Sequence, residues 1–120
     1  MTAECVEPIV VLTKKADLSE YEKMHKPIIE VPDYIKSCQP FEVKIRIGEK
    51  KHPNTLEHYI VWIDILLDGH FLSRVMFVPV IMEPEVSLKL KLGKTSKLKV
   101  IARCNIHGQW ELEKEIKIEE

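Results

Sequence analysis

Alternation of apolar and polar side chains is the clearest pattern along the chain, and it predicts β-strands. Residues 41–47 read Phe-Glu-Val-Lys-Ile-Arg-Ile, and residues 86–92 and 97–104 show a similar period of two. That period places one row of side chains in a core and the other row in solvent. Shorter apolar segments at 8–12 and 28–31 indicate two more strands, the first of them a sheet edge or a packed arm.

Three further segments are rich in β-forming residues but less regular. Residues 58–67 are too apolar to alternate well, which favours a central strand buried on both faces, and Asp68-Gly69 after them signals a hairpin. Pro79 marks a bulge or an edge within residues 71–82, and residues 110–118 close the set. Together these segments predict an all-β fold, an antiparallel β-sandwich of about seven strands.

Helix is expected in one short segment only. Ser19-Glu20-Tyr21-Glu22 fits a capping box, in which Ser19 and Glu22 bond to each other's backbone N–H groups at a helix start. Pro27 then forces the chain to extend. We expect one domain over residues 1–120, with residues 1–20 a less certain N-terminal arm.

Composition excludes several classes of function. The 120-residue chain has a formal net charge of −1, so it lacks the basic field that nucleic acids require. No apolar run could span a bilayer and no secretory signal is visible, so a cytoplasmic location is expected. The three cysteines are too few and too widely spaced for a disulfide framework, and Cys5 and Cys38 are expected to be structural or incidental.

Candidate chemistry is concentrated in two segments. Cys104-Asn105-Ile106-His107 places a thiolate and an imidazole three positions apart at the end of a predicted strand. The turn His52-Pro53-Asn54-Thr55-Leu56-Glu57-His58 supplies two more imidazoles, and His25 offers another. Such ligands suit iron, copper or zinc and exclude magnesium and calcium, which prefer oxygen. The fifth histidine, His70, is expected to be solvated.

Two other interpretations of these ligands stay open. A blue-copper electron carrier is also a β-sandwich, but such sites usually have a methionine soon after the Cys/His loop, and the last methionine here is Met82. Structural zinc prefers four ligands, often paired cysteines, which one cysteine and four histidines match poorly.

The two ligand segments resemble the signature segments of superoxide reductases. The resemblance covers Cys104-Asn105-Ile106-His107-Gly108 with Trp110, and His52-Pro53-Asn54-Thr55 with Glu57-His58-Tyr59-Ile60, within a match from about residue 22 to the C-terminus. It is greatest to the one-iron neelaredoxin class, which is also the catalytic domain of desulfoferrodoxin. The four-cysteine iron domain of desulfoferrodoxins is absent from this sequence.

The resemblance implies an immunoglobulin-like sandwich that holds one iron per chain, Fe²⁺ or Fe³⁺. The implied ligands are four histidines in a plane, His25, His52, His58 and His107, with Cys104 on the axis. The implied activity is one-electron reduction of superoxide to hydrogen peroxide, with a rubredoxin-like electron donor. The family is often tetrameric, and the apolar residues 75–82 could serve an interface between subunits.

The chain departs from the family pattern just before His25. The family reads Glu-Lys-His-x-Pro, whereas Met24 separates Glu22-Lys23 from His25-Lys26-Pro27 here. In the family the glutamate fills the sixth position of ferric iron, and the lysine steers or protonates the oxygen species. Our prediction is that Glu22 still reaches the ferric iron and that Lys23 attracts the anion.

Overall fold

The computed structural model describes residues 7–119, which form eight strands and one short helix. In chain order these are β1 (Ile9–Val11), α1 (Glu20–His25), β2 (Pro27–Glu30), β3 (Phe41–Ile47), β4 (Ile60–Leu67), β5 (His70–Met76), β6 (Glu85–Leu90), β7 (Ser96–Cys104) and β8 (Gly108–Ile116). The all-β prediction is confirmed, with eight strands rather than about seven. Cys5 lies outside the described residues.

The strands form two sheets that enclose one core. The larger sheet has the order β1-β8-β7-β4-β5 and the smaller one the order β2-β3-β6. All pairs are antiparallel except β1 with β8, which run parallel. Val43 and Ile45 of the smaller sheet and Leu98 and Val100 of the larger one are fully buried between them. No helix among residues 7–119 is long and apolar enough to cross a membrane.

Strand β4 departs from simple alternation because it contains a bulge. Ile60 pairs with Cys104 whereas Trp62 pairs with Arg103, so Val61 is an extra residue in the β4 side of the ladder. The extra residue shifts the alternation of side chains by one position. Ile60 and Ile63, which are three positions apart, therefore both enter the core. Trp62 faces outward beneath the guanidinium of Arg74, whose Cζ lies 4.1 Å from the ring centroid. The outer face of β4 can therefore carry the apolar Trp62 because the Arg74 side chain covers its ring, and not because a second core lies on that side.

Strand β5 is the edge of the larger sheet, with no second partner strand among residues 7–119, and it ends earlier than expected. The predicted hairpin at Asp68-Gly69 is confirmed, with φ of 47° and 82° as a two-residue turn requires. The strand stops at Met76, and residues 78–82 form an exposed apolar turn in which Val80 has a φ of 70°. Asn54 holds this turn by accepting from the Val80 N–H at 2.8 Å and donating to the Met82 carbonyl at 3.1 Å.

Candidate metal centre

Four of the five predicted ligands meet at one end of the sandwich. His25 ends α1, His58 precedes β4, Cys104 ends β7 and His107 lies in the turn to β8. One ligand atom from each of these side chains lies within 4.8 Å of all the others. The Sγ of Cys104 is 3.2 Å from Nε2 of His58 and 3.6 Å from Nδ1 of His107. Three separate segments thus supply one group of imidazole and cysteine side chains.

The fifth predicted ligand, His52, stands beside this group rather than within it. Its ring centroid is 4.9 Å from that of His25 and 4.6 Å from that of His58. The side chain is buried, and it enters from the loop that also carries His58. The structure therefore gathers four of the five predicted side chains into one group and sets the fifth beside it.

Two buried ring nitrogens have no hydrogen-bond partner among residues 7–119, the Nε2 atoms of His25 and His52. Nδ1 of His25 donates to the Tyr21 carbonyl at 2.8 Å, and Nδ1 of His52 donates to the Pro53 carbonyl at 2.7 Å. Because a carbonyl only accepts, the proton is on Nδ1 and the Nε2 lone pair is free. A buried polar atom is rarely left unpaired, and a metal ion would satisfy both.

Burial also keeps these imidazoles in the form that binds a metal. Desolvation lowers the pKa of His52 to about 4 and lowers the pKa of His25 and His58 from their ordinary value. Neighbouring histidines add to the effect because each protonated ring disfavours a second positive charge. At neutral pH the rings are therefore neutral, which metal ligation requires.

Glu22 and Lys23 lie on helix α1, which ends at the candidate ligand His25, and both side chains have ionic partners. The predicted capping box is confirmed: Glu22 N–H donates to Ser19 Oγ at 3.1 Å, and Ser19 N–H donates to the Glu22 carboxylate at 2.9 Å. Lys15 pairs with the same carboxylate, and that bond lowers the pKa of Glu22. Lys23 is a third exposed and lies 3.8 Å from Glu20. Neither residue belongs to the ligand group.

Three residues that our sequence analysis did not single out fix the ligand loops. The Asn105 side chain accepts from the Tyr59 N–H and donates to the Glu57 carbonyl, both at 2.9 Å, and so clasps the residues on each side of His58. Gly48 packs where an added Cβ would lie 3.0 Å from the Met24 carbonyl and 3.1 Å from the His52 nitrogen. No local sequence signal marks the contacts of Asn105 and Gly48.

The third of these residues, Tyr21, belongs to an aromatic cluster beside the centre. The Trp110 ring stacks on His25 with centroids 4.5 Å apart, as a buried aromatic of the core. Tyr21 meets His25, His107 and Trp110 edge to face, at 4.9, 5.0 and 5.3 Å. The spacing of four between Tyr21 and His25 on the predicted helix was a signal for the first of these contacts.

An all-β sandwich that gathers three histidines and a cysteine into one group at its end belongs to the class of metal-binding proteins. The family model for desulfoferrodoxin matches residues 17–113. The chain belongs to the desulfoferrodoxin family.

Relatives of known structure have the same architecture. The superoxide reductase (neelaredoxin) from Ignicoccus hospitalis is 43% identical with a TM-score of 0.73, covering 79% of this chain and 81% of that one. The superoxide reductase from Nanoarchaeum equitans is 32% identical with a TM-score of 0.68, covering 82% and 93%. In sequence, the superoxide reductase of Pyrococcus abyssi is 37% identical over 99 residues, which are 74% of this chain and 84% of that protein.

Proposed function

We propose that this protein is a superoxide reductase, which reduces superoxide to hydrogen peroxide with one electron and two protons. The observation that carries the proposal is the ligand group of His25, His58, Cys104 and His107 at one end of the sandwich. Membership of the desulfoferrodoxin family and the likeness to superoxide reductases of known structure support the same activity.

Iron is the metal we propose for this centre. His25 and His52 would bind through their free Nε2 atoms, and His58 through the Nε2 that faces Cys104. His107 would bind through Nδ1, which faces the same sulfur. Imidazoles with one thiolate suit the Fe²⁺/Fe³⁺ couple, which would supply the single electron. Since the chain itself stores no second electron, each turnover needs an external donor, for which we propose a rubredoxin-like protein.

Lys23 is our candidate for attracting the superoxide anion. It lies two residues before His25, and its side chain is a third exposed. Its weak pairing with Glu20 is screened by solvent and leaves the ammonium available. Lys23→Ala should slow the second-order reaction with superoxide and weaken its dependence on ionic strength, whereas the control Lys44→Ala, on β3, should not. Equal rates in the two variants would remove Lys23 from the mechanism.

Glu22 is our candidate for a sixth ligand in the ferric state. To bind there it would have to leave the capping box and release Lys15. The test is Glu22→Ala, which should alter the ferric absorption spectrum and its pH dependence. An unchanged spectrum would show that Glu22 serves the helix alone.

Self-association is proposed through the turn 78–82 and the unpaired edge of β5. Ile81 is 82% exposed there, and Val78 and Val80 are each more than half exposed. Contiguous exposed apolar side chains are typical of surfaces that bind another protein. Ile81→Asp should convert the tetramer that we propose into smaller species in sedimentation velocity, and an unchanged sedimentation coefficient would place the interface elsewhere. The cytoplasmic location and the single domain over residues 1–120 stay predictions.

The decisive experiment combines metal analysis with product stoichiometry. Purified protein should bind one iron per chain and give a high-spin ferric EPR signal after oxidation. Reduced protein pulsed with substoichiometric superoxide should form one hydrogen peroxide for each superoxide consumed, whereas dismutation gives one for every two. A chain that accepts copper or zinc but no iron would overturn the reductase and leave an electron carrier or a structural site.

A further inference from the structure

The histidines around the centre are not all oriented in the same way. His25 and His52 each donate from Nδ1 to a backbone carbonyl, and this bond fixes the ring. Neither His58 nor His107 has an equivalent bond within residues 7–119, since the one ring hydrogen bond of each is to the Cys104 sulfur. Metal-bound histidines normally gain their orientation from a partner on the nitrogen that does not bind the metal. The aromatic neighbours of His58 are all candidate ligands, whereas His107 also contacts a residue outside that set.

Tyr21 provides that contact. Among the aromatic neighbours of His107 in the described chain, only Tyr21 is not itself a candidate ligand. The two rings meet edge to face at an interplanar angle of 82°, with centroids 5.0 Å apart. This arrangement is the one that aromatic pairs prefer, and it restricts rotation of the imidazole about its own axis.

Tyr21 is itself well placed to act as a support. Its carbonyl accepts the Nδ1 proton of His25, and its ring also packs against Trp110. The indole N–H of Trp110 in turn donates to the His107 carbonyl at 3.1 Å. Tyr21 is nevertheless 45% exposed, so it is not simply a residue of the hydrophobic core. These contacts close a network that joins α1 to the β7–β8 turn.

We propose that Tyr21 is a positioning residue for the His107 imidazole, with its ring in the role that an outer hydrogen bond has for His25 and His52. The proposal rests on the proposed function, because it takes His107 as a ligand of iron. The Tyr21 hydroxyl makes no hydrogen bond to another described residue, so the ring and not the hydroxyl carries the role. Phenylalanine should therefore replace it.

The test compares Tyr21→Ala and Tyr21→Phe with Tyr34→Ala. Tyr34 is a matched control, since it is 58% exposed and has no aromatic contact in the part of the chain that the structure describes. In iron-loaded protein we would measure the reduction potential, the ferric EPR spectrum and the rate of iron release to a chelator. Tyr21→Ala should shift the potential, broaden the EPR signal and release iron about tenfold faster. Tyr21→Phe and Tyr34→Ala should match the unaltered protein.

Two results would overturn the proposal. One is a Tyr21→Ala variant with unchanged potential, EPR spectrum and iron release, even if its apoprotein melts at a lower temperature. The other is a Tyr21→Phe variant as disturbed as Tyr21→Ala, which would transfer the role to the hydroxyl. Failure of the unaltered protein to take up iron would overturn the proposed function instead. The d–d spectrum of the Co²⁺-loaded proteins would then decide the Tyr21 question, because it reports ligand geometry without iron.

Discussion

His58 and Cys104 lie 46 positions apart in the chain, yet the histidine Nε2 is 3.2 Å from the cysteine Sγ. Pairing of β4 with β7 creates this proximity, because Ile60 and Cys104 are partners in the ladder. A cysteine sulfur so close to an imidazole, with two more imidazoles beside it, has the composition of a metal site rather than of a structural cysteine.

Replacing Cys104 by serine should therefore remove the thiolate absorption of the ferric protein while the fold survives, since the two side chains differ little in size. The control is Cys38→Ser, at an exposed cysteine. Absorption and EPR spectroscopy of both iron-loaded variants provide the measurement. A ferric spectrum that survives in Cys104→Ser would exclude this sulfur as a ligand.

Removal of the cap should release Glu22. Ser19→Ala deletes the hydroxyl that the Glu22 N–H bonds and should cost about 1 kcal/mol of stability. If the cap and the metal compete for the Glu22 carboxylate, Ser19→Ala should also contain more of the ferric form in which Glu22 binds the metal. Glu22→Ala cannot form that species. Absorption spectra of the oxidised proteins measure this, with the exposed Ser87 changed to alanine as the control. A stability loss without a spectral change would separate the cap from the metal.

Acid should destabilise the apoprotein through its buried histidines. The pKa of His52 is about 4 in the folded protein and about 6.5 when unfolded, so the unfolded chain binds more protons between these values. The stability that the neutral ring contributes is therefore complete above pH 6.5 and declines as the pH falls toward 4. Urea titrations of the metal-free protein at several pH values would give the free energy of unfolding as a function of pH. This free energy should depend less steeply on pH in His52→Gln. His70→Gln, at an exposed histidine, should keep the same pH dependence of stability as the unaltered protein.

Gly48 should tolerate no side chain. A Cβ there would collide with the Lys50 carbonyl, and the φ of +104° is itself unfavourable for other residues. Gly48→Ala should cost roughly 2–3 kcal/mol and weaken metal binding, because the forced shift falls between α1 and the His52 loop. Gly69→Ala is the control: its φ is +82°, but nothing lies within 4 Å of the added Cβ. If chemical denaturation shows the same loss of stability in both variants, backbone strain alone explains the effect of Gly48→Ala.

Asn105→Ala should loosen the His58 segment. The variant loses side-chain bonds to the Tyr59 N–H and the Glu57 carbonyl, at a cost of roughly 1–3 kcal/mol. Iron release should accelerate about tenfold, since these bonds support a ligand. Asn54→Ala removes a comparable clasp on the turn 78–82 and should lower stability with less effect on iron release. Identical release rates in the two variants would contradict this assignment.

The sequence predicted what depends on local pattern and on ligand chemistry. The period of two located β3 and β7, and the capping box and Asp68-Gly69 located α1 and the β4–β5 turn. Imidazole and thiolate side chains were recognisable as a metal set because few other roles gather them in two short segments. The structure places four of these side chains in one group, with His52 beside it.

Features set by contacts between distant segments were not predictable. The bulge at Val61 depends on how β4 meets β7, and the outward Trp62 depends on Arg74 from the next strand. The turn after Met76 replaces the expected strand because Asn54, more than twenty residues earlier, holds Val80 in a left-handed conformation. Likewise, the contact of Tyr21 with His107 exists only once α1 packs against the β7–β8 turn.

The bulge at Val61 also decides where β4 tolerates the loss of a residue. Val61 is the extra residue of the ladder, so its deletion would restore regular alternation and leave Ile60 opposite Cys104. Within residues 63–67 every residue of β4 has a partner on β7, and a deletion there would turn the side chains before it to the opposite face. In this part of the gene the loss of three nucleotides is consequently less damaging at the Val61 codon than at the codons that follow Trp62.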